Sequence, residues 1–285
     1  MAPVPALFSF FLTLVAVGAL SAPASAQGIA IPENDDVHPF PGPGFSFGWS
    51  VLYPYTDRII DVATGPGGAV LVCGNRNTGA VLKKLQPLSG DTVWTASLGG
   101  VLAEALVVDD EGASYVAGSY YPGGFPDVFL AKVDRHGTLV WSYTYDEYAN
   151  NDEGLDVALG PDDSVVVIGH ANGLQGANFF TAKLSRQGDV LWTAQVDGGP
   201  DSIIDSAVAV AVDPQGGVLV TGTSEGQASL FTPDVVTVKY SSDGALLWTQ
   251  RHDGTAQSHD TPRDIAGTAT GAVWSSEPRR RATPA

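Results

Sequence analysis

"DPQGGVLVTG" occupies residues 213–222, and three other stretches align to it without a gap. They are "GPGGAVLVCG" (65–74), "DDEGASYVAG" (109–118) and "GPDDSVVVIG" (160–169). Each closes on a glycine (Gly74, Gly118, Gly169, Gly222), at spacings of 44, 51 and 53 residues. Beyond each glycine comes a variable stretch, then "AVLKKL", "DVFLAKV", "NFFTAKL" or "DVVTVKY", a glycine-containing turn, and a tryptophan. Those tryptophans are Trp94, Trp141, Trp192 and Trp248. A unit repeated at this period marks a repeat architecture, and its internal pattern decides which.

Within a unit, short runs rich in Val, Leu, Tyr and Thr are bounded by Gly, Asp, Pro or Ser, the signature of strands joined by turns. "DPQG" and "SSDG" supply the backbone conformations that tight hairpins need. No sustained helical periodicity appears beyond the N-terminal leader. Each unit therefore reads as a four-stranded antiparallel meander. One such sheet cannot bury both faces alone, so the sheets stack around an axis. The expectation is an all-β fold, a β-propeller over residues 45–273. Its blades fall at about 57–99, 100–149, 150–200 and 201–256. A partial fifth at 257–273 joins a strand at 45–55, where Trp49 takes the tryptophan column. The recurring Trp then reads as scaffold, a large ring filling the gap between blades.

The stretches "DPQGGVLVTGTS" and "DVVTVKYSSDGALLWTQRHDG" resemble the bacterial β-propeller repeat (SBBP-type) of secreted and cell-surface proteins. The resemblance covers roughly residues 45–273. It implies a propeller outside the cytoplasm, usually without a known enzymatic role, and it carries over no catalytic residues.

Residues 6–20, "ALFSFFLTLVAVGAL", form an apolar run shorter than a membrane span, followed by an A-x-A pattern at Ala24 and Ala26. A signal peptide over 1–26 follows, and with it export, with no membrane span after its removal. Residues 27–44 read as a Pro-rich lead-in. The fifth repeat breaks into "VWSSEPRRRATPA", so 274–285 reads as an irregular basic tail. That break favours a truncated relative of a longer propeller over an incompletely closed ring.

The chain has 14 Lys and Arg against 31 Asp and Glu, a net charge of -17. Nucleic acid, which needs a basic surface, is excluded as a partner on that ground. The one cysteine, Cys73, shares its column with Ala117, Ile168 and Thr221, so it reads as packing rather than a nucleophile.

In a meander the links alternate between the two ends of the blade. The A–B and C–D links are short, whereas the long, variable links share the other face. Binding belongs on such a face. Asp146, Glu147, Asp152 and Glu153 crowd one of its loops and are the calcium candidates, although their spacing misses the twelve-residue calcium loop. A solvated turn is the preferred reading there, and no cofactor is expected. Tyr120, Tyr121 and Phe125 read either as an aromatic platform or as a self-packed loop. Lys84, Lys132, Lys183 and Lys239 recur once per blade, as frame elements pairing with acids. His170, His252 and His259 lack zinc spacing, and Ser224 in "GTSEG" follows a propeller strand rather than a nucleophile elbow. The leading functional expectation is a non-catalytic extracellular module offering its long-loop face to a protein or glycan. The rivals are a propeller enzyme (hydrolase, lyase or quinoprotein-like) and a fragment without independent function. The sequence leaves the oligomeric state open.

Overall fold

The computed structural model describes residues 58–148, 150–173, 176–197, 204–225, 233–252, 260–267 and 273–275. The expected leader, lead-in, strand 45–55 with Trp49, and most of the basic tail lie outside these residues. Four antiparallel sheets are present, each with its strands in chain order. The first contains β1 (Arg58–Thr64), β2 (Val70–Arg76), β3 (Gly79–Leu85) and β4 (Thr92–Gly99). The second contains β5 (Val101–Val108), β6 (Ser114–Tyr120), β7 (Asp127–Val133) and β8 (Leu139–Tyr145). The third has β9 (Glu153–Leu159), β10 (Val165–Gly173), β11 (Gly176–Leu184) and β12 (Val190–Val196). The fourth has β13 (Asp205–Val212), β14 (Val218–Glu225), β15 (Pro233–Tyr240) and β16 (Leu246–His252). A fifth unit begins with β17 (Ile265–Gly267) and β18 (Val273–Ser275), which runs two residues into the stretch read as tail.

The first strands of successive sheets pack side by side, β1 on β5, β5 on β9, β9 on β13 and β13 on β17, which is propeller geometry. Among the described residues the sheets do not close into a ring. Neighbouring sheets cover both faces of the central strands of the second and third blades, so those strands are almost continuously buried rather than alternating. In β6, Val116 faces the core shared with the first blade, while Tyr115 and Ala117 face the core shared with the third.

The recurring glycine has a steric cause. Every first strand of a full blade carries a β-bulge, at Ile60, Glu104, Leu155 and Val208. The bulge drives a carbonyl onto the neighbouring strand at the glycine. A Cβ on Gly118 would lie 2.0 Å from the Leu102 carbonyl oxygen, and one on Gly169 would lie 1.8 Å from that of Glu153.

The blades are joined by side chains. Trp94 Nε1 donates to the Arg135 carbonyl (2.9 Å), Trp141 to Arg186 (3.1 Å) and Trp192 to Ser242 (3.2 Å), each in the last turn of the following blade. The ring lies beneath that turn's glycine, and a Cβ on Gly188 (φ +92°) would stand 2.9 Å from Trp141. The recurring lysines support the same joint. Lys132 and Lys183 donate to the same two carbonyls, at 3.3 and 3.2 Å, and Lys183 and Lys239 pair with Asp162 and Asp213 at 2.9 Å. Nearer the axis, Asp61 accepts from Val62 N (2.7 Å) in its own blade and Leu106 N (2.9 Å) in the next. Asp156 repeats this with Val157 N and Val210 N, both at 2.8 Å. Asn75 clasps both backbone groups of Ala103 across the first joint.

One column breaks its rule. Gly68, Gly112 and Gly216 hold φ of +77°, +82° and +81°, and Asp163 stands fourth at +60°. A left-handed backbone costs an L-residue about 1 kcal/mol, and its ion pair with Arg186 is long (3.7 Å) and exposed. Asp163→Gly is therefore expected to stabilise the protein by about 0.5–1 kcal/mol. Gly188→Ala is expected to destabilise it by about 2–4 kcal/mol, combining backbone strain with overpacking on Trp141. Denaturant unfolding of the two variants checks both signs.

Candidate functional site

The two ends of the blades differ in chemistry. At the short-turn end the polar groups are already engaged. Asp109 Oδ1 accepts from Glu111 N and Ala113 N, and Asp134 and Asp213 do the same in their turns. A cleft of about 240 Å³ opens there between the second and third blades, lined by Asp109, Asp110, Tyr115, Asp163 and Arg186 among others. Its cation is occupied, since Arg186 pairs with Asp109 (3.0 Å) and Glu111 (2.9 Å) across the joint. This cleft is part of the fastening between blades.

At the other end the links vary more than the sequence reading allowed. The first blade has only residues 77–78 and Gly100 there, and the third has only 174–175 between its middle strands. Long links belong to the second blade (121–126 and 146–152), to 197–204 after the third, and to 226–232 and 253–264 around the fourth. The site is therefore lopsided, with its best-described part at the corner built by 121–126 and 146–152.

Those two loops are tied together and to the frame. Asp152 N donates to the Pro126 carbonyl at 2.8 Å. The Asp152 side chain is fully buried and accepts from Glu147 N and from Asn172 N (2.7 Å). Tyr145 OH and Gln195 Nε2 both donate to Glu147, and the Tyr145 ring stacks on Phe180 with centroids 4.3 Å apart. Asn150 and Asn172 cross-link the loop further. On this support three aromatic side chains stand open to solvent: Tyr121 (42% exposed), Phe125 (57%) and Tyr148 (63%). Tyr148 is held at φ +56°, a conformation uncommon for a bulky residue. Tyr120, by contrast, packs into the core beside Phe129.

The four calcium candidates are dispersed by this arrangement. Asp152 serves backbone amides, Glu147 serves Tyr145 and Gln195, Asp146 has partners of its own, and Glu153 begins β9 opposite His170. Among the described residues no three acidic, His or Cys side chains meet as a ligating group. Burial lifts Asp152 to about 6, against its two amide donors and with help from Asp146 and Glu147. Burial likewise lifts Asp156 to about 6.

The other singled-out residues lie apart from this corner's surface. Cys73 is buried and its thiol is pushed up to about 12 by burial and Asp61. Ser224 is buried opposite Asp205 and Asp234. His252 ends β16, His136 sits in a short turn, and His259 lies outside the described residues. His170 is kept low by burial, opposed by Glu153, and its Nδ1 is buried with no bonding partner. Sequence reasoning passed over Glu104. It occupies the bulge that Ile60, Leu155 and Val208 fill elsewhere, and a charged residue in an apolar column was the available signal.

Comparison with solved structures gives the class of fold. The Dos1 propeller superposes with a TM-score of 0.52 at 12% identity, covering 77% of this chain and 52% of that one. This chain thus spans about half the length of that structure. An α-L-arabinanase from Penicillium chrysogenum, solved with arabinobiose, gives 0.49 at 10% identity over 78% of this chain and 76% of that one. A Bacteroides caccae protein of unknown function gives 0.43 at 12% identity over 72% and 86%. The chain has a β-propeller fold. Neither a protein-family model nor any curated protein matches its sequence.

The two lifted carboxyls fix a pH dependence. An acid whose folded pKa lies above its unfolded value binds protons more tightly when folded, so it adds stability as pH falls. The melting temperature is expected to rise as pH is lowered from about 7.5 through 6 to about 5. Asp156→Asn should flatten this profile, as differential scanning calorimetry across that range would show.

Proposed function

We propose that this protein is an exported, non-catalytic propeller module that binds a glycan or protein on its long-loop face. On this reading the repeats are of the SBBP type, and residues 1–26 direct export. The observation that carries the proposal is the corner of the second blade, where Tyr121, Phe125 and Tyr148 are exposed on loops whose polar groups are internally satisfied. Exposed aromatic rings on preorganised loops lose little freedom on binding and offer apolar faces to sugar rings or side chains. The surrounding acids favour a neutral or cationic ligand over an anionic one, in keeping with the net charge of -17.

Affinity electrophoresis against neutral polysaccharides, together with pull-down of surface proteins, identifies the ligand. Tyr121→Ala, Phe125→Ala and Tyr148→Ala should each weaken binding by about five- to thirtyfold, the range of an anchoring aromatic. All three variants should keep the unmodified melting temperature. Unchanged affinity in all three, or turnover of the ligand abolished by one acidic substitution, would sink the reading.

A further inference from the structure

The two links of the aromatic corner meet at Asp127. The link 121–126, which carries Tyr121 and Phe125, leaves from Tyr120 and returns at Asp127, and these two residues face each other across β6 and β7. Tyr148 lies on the second link, 146–152, which is fastened beside Asp127 by the bond from Asp152 N to the Pro126 carbonyl (2.8 Å). Val128 faces Tyr145 across β7 and β8, so Asp127 and Asp146 stand one step further out on the same pair of strands. Like charges opposed on neighbouring strands destabilise the pair. Asp146 has partners of its own, whereas among the described residues no hydrogen bond or ion pair reaches the half-buried Asp127 carboxylate. Burial, and then Asp146, hold Asp127 above its ordinary range.

The cations of these blades are all at the other end. Residues 100–200 contain four Lys and Arg, namely Lys132, Arg135, Lys183 and Arg186. Arg135 and Arg186 sit in the short turns, Lys132 and Lys183 donate into such turns, and Arg186 pairs with Asp109. The long-loop end of the same blades holds Asp127, Asp146, Glu147, Asp152, Glu153 and Asp197. A neutral sugar hydrogen-bonds a carboxylate but leaves the repulsion between Asp127 and Asp146 standing. An ammonium or guanidinium group removes it, and a guanidinium also stacks on a phenol or phenyl ring.

We propose that the corner receives a cationic segment of a protein, with an arginine or lysine head set against Asp127 and Asp146 and its neighbours lying on Tyr121, Phe125 and Tyr148. The proposal rests on the reading of this corner as the binding site, and within that reading it selects protein over glycan.

The test uses the full chain and two capped nonapeptides, one of three Ser-Gly-Arg repeats and one with Gln in place of each Arg. In calorimetric titration the arginine peptide is expected to bind at least about tenfold more tightly than the glutamine peptide. Asp127→Asn should weaken it about five- to tenfold. Asp110→Asn removes the same charge from a side chain 89% exposed at the short-turn end, and should leave affinity within about twofold. Both variants should melt no lower than the unmodified chain. No binding of the arginine peptide, equal affinity for the two peptides, or equal effects of Asp127→Asn and Asp110→Asn overturns the proposal. If Tyr121→Ala and Phe125→Ala then still weaken capture by a neutral polysaccharide, the choice of ligand alone has failed. If they alter binding of neither ligand, the corner itself is not the site.

Discussion

The joint between blades is the constraint on which this molecule depends. Each blade is a complete four-stranded sheet, and among the described residues backbone pairing between blades is limited to an isolated bridge of Ala177 with Ile204 rather than a ladder. Side chains must do it. Each of Trp94, Trp141 and Trp192 reaches beneath the last turn of the following blade and donates to a carbonyl there, while Lys132 and Lys183 reach the same carbonyls from inside. Near the axis, Asp61 and Asp156 each hold equivalent amides of two successive blades. Among the described residues Trp248 has no such turn above it. It is 36% exposed, with no hydrogen-bond partner for its indole among the described residues, and it lies on a strand exposed along its whole length.

Because the joints are repetitive, departures from the repeat mark where the frame serves something else. Glu104 replaces an aliphatic residue in the bulge, and the loops of the second blade are long where those of the first are minimal. These departures converge on one sector of one face. Asp163, which replaces a glycine, and Arg186, which binds acids of two blades, lie on the opposite face and belong to the fastening. The cleft near them is therefore a poor guide to function, while a shallow surface with exposed aromatic rings is the better one.

The propeller was legible because its repeat elements sit where backbone sterics demand them. The closing glycines are required by the bulge, and Gly137, Gly188 and Gly244 are required by the Trp ring of the preceding blade that lies beneath each. The site was less legible. The sequence placed Tyr120, Tyr121 and Phe125 in one loop but could not separate a half-buried Tyr120, packed on the core, from the two exposed neighbours, since that depends on which side of β6 meets the next sheet. It clustered Asp146, Glu147, Asp152 and Glu153 as metal candidates, yet neighbours in sequence point apart once Asp152 turns inward to cap amides from two elements.

The sequence by itself determined the four four-stranded repeats, the strand order within each, and the face on which the long links gather, because these follow from periodicity and turn chemistry. Only the tertiary structure decided how the blades are fastened, which acids are buried and lifted to about 6, and which aromatic side chains remain open. Those properties depend on contacts between residues some 40–60 positions apart, such as Trp141 with Arg186 and Asp156 with Val210, and no local pattern encodes them.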